Sequence, residues 1–208
     1  MKRNMSTVPS LILGSILIVF ASANASAASV TDLANSCADC HGKDGASSHP
    51  EIPIIGGLSA QYIVDSFAAY KDKIRPCTEV KEIAGPHKGE KSDMCKVSEK
   101  LSKEEIKQVA DYFAAKPFVR AKQKFDAGLA EKGKGIHALE CVKCHDKGGS
   151  SPDDDAGILA GQWMPYLEKE FDAYTTGKRE MPKKMKPKLD KLSKEDIKAL
   201  INYYGSFQ

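Results

Sequence analysis

Apolar residues recur at helical spacing near the end of each half of the chain. Ile106, Val109, Ala110 and Phe113 form one stripe, and Ile197, Leu200, Ile201 and Tyr204 form another. Steps of three or four residues put each set on one face of an α-helix. Ser102 with Glu105, and Ser193 with Asp196, stand ahead of these stripes at capping-box spacing and predict where the helices start. A middle helix is predicted over Ser59 to Tyr70, with Ile63, Phe67 and Tyr70 on one face, and its counterpart carries Leu167, Phe171 and Tyr174. A further helix is predicted to end at each of two Cys pairs. No alternating apolar and polar run is long enough to mark a strand. Each half therefore reads as three helices with long loops, an all-α fold class.

The halves are copies of one unit. At an offset of 104 positions Cys37, Cys40 and His41 fall on Cys141, Cys144 and His145, and Ile54, Gly57, Tyr62, Phe67 and Tyr70 fall on Ile158, Gly161, Tyr166, Phe171 and Tyr174. Further on the offset is 91, where Leu101–Ile106 meets Leu192–Ile197, so the first copy holds 13 more residues between Tyr70 and Met94. Two copies make a duplicated globular unit, since a solenoid needs at least three. Pro117 and the basic composition around it predict a boundary within Lys116 to Lys124, giving one domain over 29–118 and a second over 119–208.

The chain start has a different pattern. Lys2 and Arg3 precede an apolar stretch from Leu11 to Phe20 and a small-residue run containing Ala25-Ser26-Ala27. The apolar stretch is about half the roughly 20 residues of a membrane span. It predicts a secretory signal peptide over 1–28, cleaved near Ala27 or Ala28, with export to the periplasm and no membrane span afterwards. The formal charge of +3 falls to +1 once Lys2 and Arg3 are removed, because residues 1–28 hold no Asp or Glu. That leaves no cationic excess for general nucleic-acid binding.

Export changes how the six cysteines are read. Cys37-Ala38-Asp39-Cys40-His41 and Cys141-Val142-Lys143-Cys144-His145 have the spacing that attaches c-type haem. Two thiols one helical turn apart can each form a thioether, and the adjacent imidazole reaches the iron. A zinc site would need both pairs to converge. A thioredoxin-like dithiol would sit beside a βαβ pattern, and local disulfides would leave both histidines unexplained. Two covalently bound haem c groups are therefore predicted. A carrier of electrons needs both axial positions of each iron filled. Met94 and Met185 match at offset 91, each seven residues before a Leu-Ser pair, with Met181 as rival at the second site and His49 or His87 as rivals at the first. His137 reads as a surface histidine and Trp163 as packing near the second haem. Cys77 and Cys95 are left over and predict a disulfide, with two free thiols, or a thiolate given to an iron, as the alternatives.

The run Cys37–Gly45, the paired Leu-Ser helices and the tandem layout resemble the dihaem class I cytochromes c. Ile158-Leu159-Ala160-Gly161-Gln162-Trp163, Pro165-Tyr166-Leu167 and Met181-Pro182-Lys183-Lys184-Met185 resemble the cytochrome subunits of flavocytochrome c sulfide dehydrogenases. The resemblance implies two tandem cytochrome c domains, each a few helices wrapped around a covalent haem. It implies attachment at Cys37, Cys40, Cys141 and Cys144, with axial ligands His41, Met94, His145 and Met185. It also implies an electron-transfer subunit without catalytic residues of its own, which takes electrons from a sulfide-oxidising flavoprotein and deals with other redox proteins. A free-standing respiratory carrier feeding a terminal oxidase, and a haem enzyme such as a thiosulfate-oxidising cytochrome, are the alternatives. Lys178 to Lys198 holds nine basic residues against four acidic ones, a candidate docking surface for an acidic partner or simply a solvated face.

Overall fold

Helix α1 (Val30–His41) begins where the Ser29 hydroxyl accepts from Asp32 N, and it runs through the first Cys pair to its histidine. The computed structural model describes residues 29–153 and 155–208; the signal peptide read from 1–28 lies outside them. In the first copy α2 (Ala60–Lys71), α3 (Met94–Lys100) and α4 (Lys103–Ala114) follow. In the second copy α5 (Ala127–Ile136) passes into a wider π-type turn over His137–Cys141, and α6 (Asp146–Gly149) is one irregular turn. Then come α7 (Met164–Thr175), α8 (Lys186–Leu189) and α9 (Lys194–Gly205). The chain from 115 to 126, between α4 and α5, has neither helix nor strand. Among the described residues no helix is long and apolar enough to cross a membrane.

Both capping boxes form. Ser102 and Ser193 accept from the backbone of Glu105 and Asp196, whose carboxylates take the serine N–H in return. The stripes behind them are buried as expected: Ile106, Val109, Ala110 and Phe113 in the first core, Leu200, Ile201 and Tyr204 in the second. Helices α5 and α9 cross where Gly133 presents no side chain; a Cβ there would lie 2.1 Å from Ala199 O. The duplication is visible in backbone bonds. Gly57 N donates to Phe113 O at 2.9 Å and Gly161 N to Tyr204 O at 2.8 Å. Ile55 N reaches Gly45 O at 2.9 Å, as Leu159 N reaches Gly149 O at 2.8 Å. Gly45 and Gly149 both take positive φ, 76° and 81°, which favours glycine at that turn.

The extra residues of the first copy form what the hydrophobic pattern did not predict. Val80–Lys81 and Lys91–Ser92 pair antiparallel as β1 and β2, with Val80 opposite Ser92. Strands of two residues are too short for an alternation to register. A disulfide between Cys77 and Cys95, Cα atoms 5.5 Å apart, closes the base of this hairpin. Met94, expected in a loop, is the first residue of α3, because Asp93 caps that helix by accepting from Lys96 N.

Two stability outcomes follow. The bridge spans 18 positions, so Cys77→Ser/Cys95→Ser should cost about 3 kcal/mol in the chain-entropy account, read from the denaturant midpoint. Asp196 binds Lys132 at 2.8 Å as well as capping α9, and Lys132, then Ser193, draw its pKa down to about 2. A depressed carboxylate stabilises the fold above its unfolded pKa of about 3.9 and ceases to as pH falls through the folded value. Asp196→Asn should therefore lower Tm at pH 7 and converge with the parent below pH 2.

Candidate functional site

The first Cys-x-x-Cys-His lies on the last turn of α1. His41 is buried, and its Nδ1 stands 2.9 Å from Pro53 O. A carbonyl only accepts, so Nδ1 carries the proton and Nε2 keeps the lone pair a metal needs. Burial holds the ring below its ordinary pKa, against the Pro53 bond that favours the charged form, so the neutral ligand form prevails at pH 7. Cys37, Cys40, Cys141 and Cys144 take no part in a disulfide. Burial, then Cys40 and Asp39, push Cys37 up to about 11, and burial raises Cys40 and Cys141 as well. Among the described residues no βαβ unit adjoins either pair, the setting that a thioredoxin-like dithiol requires. The zinc alternative goes too: among the described residues, the grouping close enough for a metal is Cys77, Asp93 and Cys95, and its two sulfurs are bonded to each other.

The second site differs locally. The π-type turn, closed by Val142 N to His137 O at 3.0 Å, ends the helix at Cys141, and Cys144 and His145 follow in a turn whose N–H groups bond back to Cys141 O. The four attachment cysteines and both histidines thus sit on helix ends or the turns after them. Met94 is half-buried against the first core. Met185 is half-buried and accepts from Leu189 N at the start of α8, and Met181 lies half-buried before it. Met164 packs beside Gly205, a helix-packing role. His49 and His87 make local contacts, His49 with Ser47 and Glu51 and His87 with Glu90. Cys77 and Cys95, being bridged, offer no thiolate. His137 is not the surface residue expected: it is 3% exposed, with Nδ1 3.0 Å from the Tyr204 hydroxyl, because the π-type turn rotates it inward onto α9.

The two copies meet through polar groups that a single copy cannot satisfy. The buried Gln162 amide accepts from Ile54 N and donates to Ile54 O, both at 2.9 Å, one residue beyond the carbonyl that orients His41. Trp163, expected beside the second haem, reaches the first copy, its Nε1 donating to Ser47 O at 2.8 Å. Arg75, 4% exposed, donates to the Tyr166 hydroxyl at 2.8 Å, pairs with Glu170 at 3.1 Å and lies 4.7 Å over the Tyr70 ring. Arg179 pairs with the same Glu170 and covers Tyr174. Sequence reasoning missed this cluster, although the offset of 104, carried five residues past Tyr70, pairs Arg75 with Arg179.

These residues fit the group that the Cys motifs call for. The buried Arg75 and the half-buried Arg179 share one carboxylate, and Arg75 Nε is buried without a hydrogen-bond partner among the described residues. Two cations on one carboxylate, with a spare buried donor, suit a further anion, and haem carries two carboxylates.

Comparison with known proteins agrees with this chemistry. A family model described as cytochrome c matches residues 27–115, and one described as cytochrome c oxidase, cbb3-type, subunit III matches 128–203. Cytochrome c4 of Pseudomonas aeruginosa is 28% identical over 185 residues, covering 80% of this chain and 81% of that one. The crystal structure of reduced recombinant cytochrome c4 from Pseudomonas stutzeri superposes with a TM-score of 0.68 at 24% identity, over 88% of this chain and 100% of that one. A thiosulfate dehydrogenase electron acceptor of Thiomonas intermedia is 26% identical over 81% of this chain and 76% of its own. Cytochrome c-554(548) of Halomonas halodenitrificans is 32% identical over 90 residues, 43% of this chain and 94% of that protein.

Gln162→Ala should strand both backbone groups of Ile54, each worth about 1–3 kcal/mol when left unsatisfied. The expected result is a drop in the unfolding midpoint of the holoprotein, while Gln162→Glu, which keeps an acceptor for Ile54 N, should lose less.

Proposed function

We propose, because this chain belongs to the cytochrome c family and carries two covalently bound haem c groups, that it is a periplasmic electron carrier serving a dehydrogenase that oxidises an inorganic sulfur compound. The observation that carries the reading is the recurrence of Cys-x-x-Cys-His, and of Met94 and Met185, at equivalent positions of a duplicated unit, which supports His41 with Met94 and His145 with Met185 as the ligand pairs. Bound haem supplies a one-electron iron couple whose potential a thioether ligand raises. The chain's own residues do the rest. Cys37, Cys40, Cys141 and Cys144 attach the groups, and Pro53 O holds His41 in its ligating tautomer. Arg75 and Arg179 offer buried positive charge to carboxylates at the junction of the two copies. Held by these side-chain pairs, neither iron would keep a position for a substrate, which supports a transfer subunit over a haem enzyme.

The likeness of residues 158–185 to flavocytochrome c cytochrome subunits supports a sulfide-oxidising flavoprotein as donor. The relative named thiosulfate dehydrogenase electron acceptor supports a second reading, thiosulfate oxidation. The oxidase-subunit model matched by the second domain supports a terminal oxidase as acceptor. Anaerobic stopped-flow reduction by each purified dehydrogenase separates the donors: the true one should reduce both haems within turnover, the other only slowly.

Each ferric centre should show the near-infrared thioether-to-iron band of a low-spin His/Met haem. Met94→Ala and Met185→Ala should each remove one such signal, and Met181→Ala should remove none. A bis-histidine or high-spin centre in the parent protein would refute the ligand assignment.

A further inference from the structure

The two Cys-x-x-Cys faces are equivalent by descent and opposite in accessibility. Position for position, Asn35, Ala38 and Asp39 of the first copy correspond to Leu139, Val142 and Lys143 of the second. The hairpin closed by Cys77 and Cys95 lies on the first set: Ile83 N and Ala84 N both donate to Asp39 O at 3.0 Å. Gly85 follows at φ 74°, where a Cβ would lie 2.1 Å from the Asp39 carboxylate, so the strap presses against this turn. Cys37 to Cys40 are all half-buried in consequence. On the second copy Val142, Lys143 and Cys144 are exposed, Val142 at 41% and Leu139 at 79%. A leucine that far out of the core, beside a cofactor attachment site, is the apolar centre of an unpartnered face.

Charge separates the faces in the same direction. The stretch from Cys77 to Cys95 holds three lysines against four carboxylates. The second face is cationic. Lys188 and Lys191 converge on the single carboxylate of Glu140, at 2.9 and 3.9 Å, which fastens α8 beside the Leu139 turn. The bond from Lys186 N to Pro182 O closes a turn that sets Lys183 and Lys184 immediately ahead of α8, the element fastened beside Leu139. Both are exposed, as is Lys143. The structure also trims the basic run read from the sequence, since Arg179 is half-buried and paired with Glu170 and Lys186 is paired with Asp190 at 2.8 Å.

We propose that the Leu139–Val142 face, rimmed by Lys143, Lys183 and Lys184, is the docking surface for a one-electron redox protein with an acidic contact face, and that the hairpin strap denies the equivalent face of the first copy to such partners. Electrons then enter and leave the chain through its second domain. Each encounter moves one electron, lost by the reduced partner and gained by the second centre, or the reverse, with no atom or proton exchanged. Apolar contact at the centre and opposite charge at the rim set affinity and approach respectively. The inference rests on the carrier reading and is silent about which dehydrogenase is the donor.

A binding experiment needing no electron transfer tests it. The reduced, isotope-labelled holoprotein would be titrated with redox-inert cadmium-substituted plastocyanin, an acidic redox protein, and followed through its amide resonances. Perturbed amides should gather at 139–144 and 183–191. Lys183→Glu/Lys184→Glu should raise Kd at least tenfold at low salt, an effect that shrinks as the Debye length falls. Leu139→Asn, the first copy's residue, should weaken binding severalfold at both low and high salt. Lys88→Glu on the strap should leave Kd within twofold. Perturbations centred on 38–40 and 80–91, parental affinity in the Lys183/Lys184 variant, or no perturbation at either face would each overturn the proposal. Because no sulfur dehydrogenase takes part, such a failure leaves the donor assignment standing.

Discussion

The bond from His41 Nδ1 to the Pro53 carbonyl is the constraint on which the first site depends. It chooses the tautomer and leaves Nε2 without the proton, while burial, against this bond, holds the pKa of the imidazole down. The carbonyl is only as well placed as the extended segment that carries it, and that segment is held from outside its own domain. Gln162 satisfies both backbone groups of Ile54, the next residue, from a buried position in the second copy. The histidine of one Cys-x-x-Cys-His motif is thereby positioned with the help of a side chain of the other domain, which couples the two copies at the first site.

The rest of the junction follows the same logic of shared polar groups. Arg75 is too deeply buried to stand alone, and its partners Tyr166 and Glu170 come from the opposite copy. Ile158 of the second copy completes the first hydrophobic core beside Leu58 and Phe67. Pulling the copies apart would expose that apolar surface and leave a buried guanidinium without its counter-charge, so the pair behaves as one body.

Against this symmetric junction the 13-residue insertion of the first copy introduces asymmetry. The strap is tied at its base by a disulfide and at its tip to Asp39. It covers one Cys-x-x-Cys turn while its counterpart remains open, with Leu139 in place of Asn35. The difference leaves two similar Cys-x-x-Cys turns with different surroundings, one under the strap and the other exposed.

What the sequence determined by itself was whatever depends on local spacing. Capping boxes, helical stripes, the paired Cys-x-x-Cys-His motifs and the offset of 104 all act within a few residues or by direct repetition, and each was legible without coordinates. Tertiary structure decided what depends on residues brought together from far apart. His137 turned inward because a π-type turn rotated it onto Tyr204. Trp163 served the first copy because its indole N–H needed an acceptor, which Ser47 supplies. The basic run lost Arg179 to the half-buried carboxylate of Glu170, and the insertion became a strap over Asp39. In each case a polar group or exposed turn found its partner across 60 or more positions of chain, or across 44 for Asp39 and Ile83; Glu170, the exception in distance, lies only nine residues from Arg179 but is half-buried where it also pairs with Arg75 of the opposite domain. Such pairings are set by how the domains pack, and no periodicity along the chain encodes them.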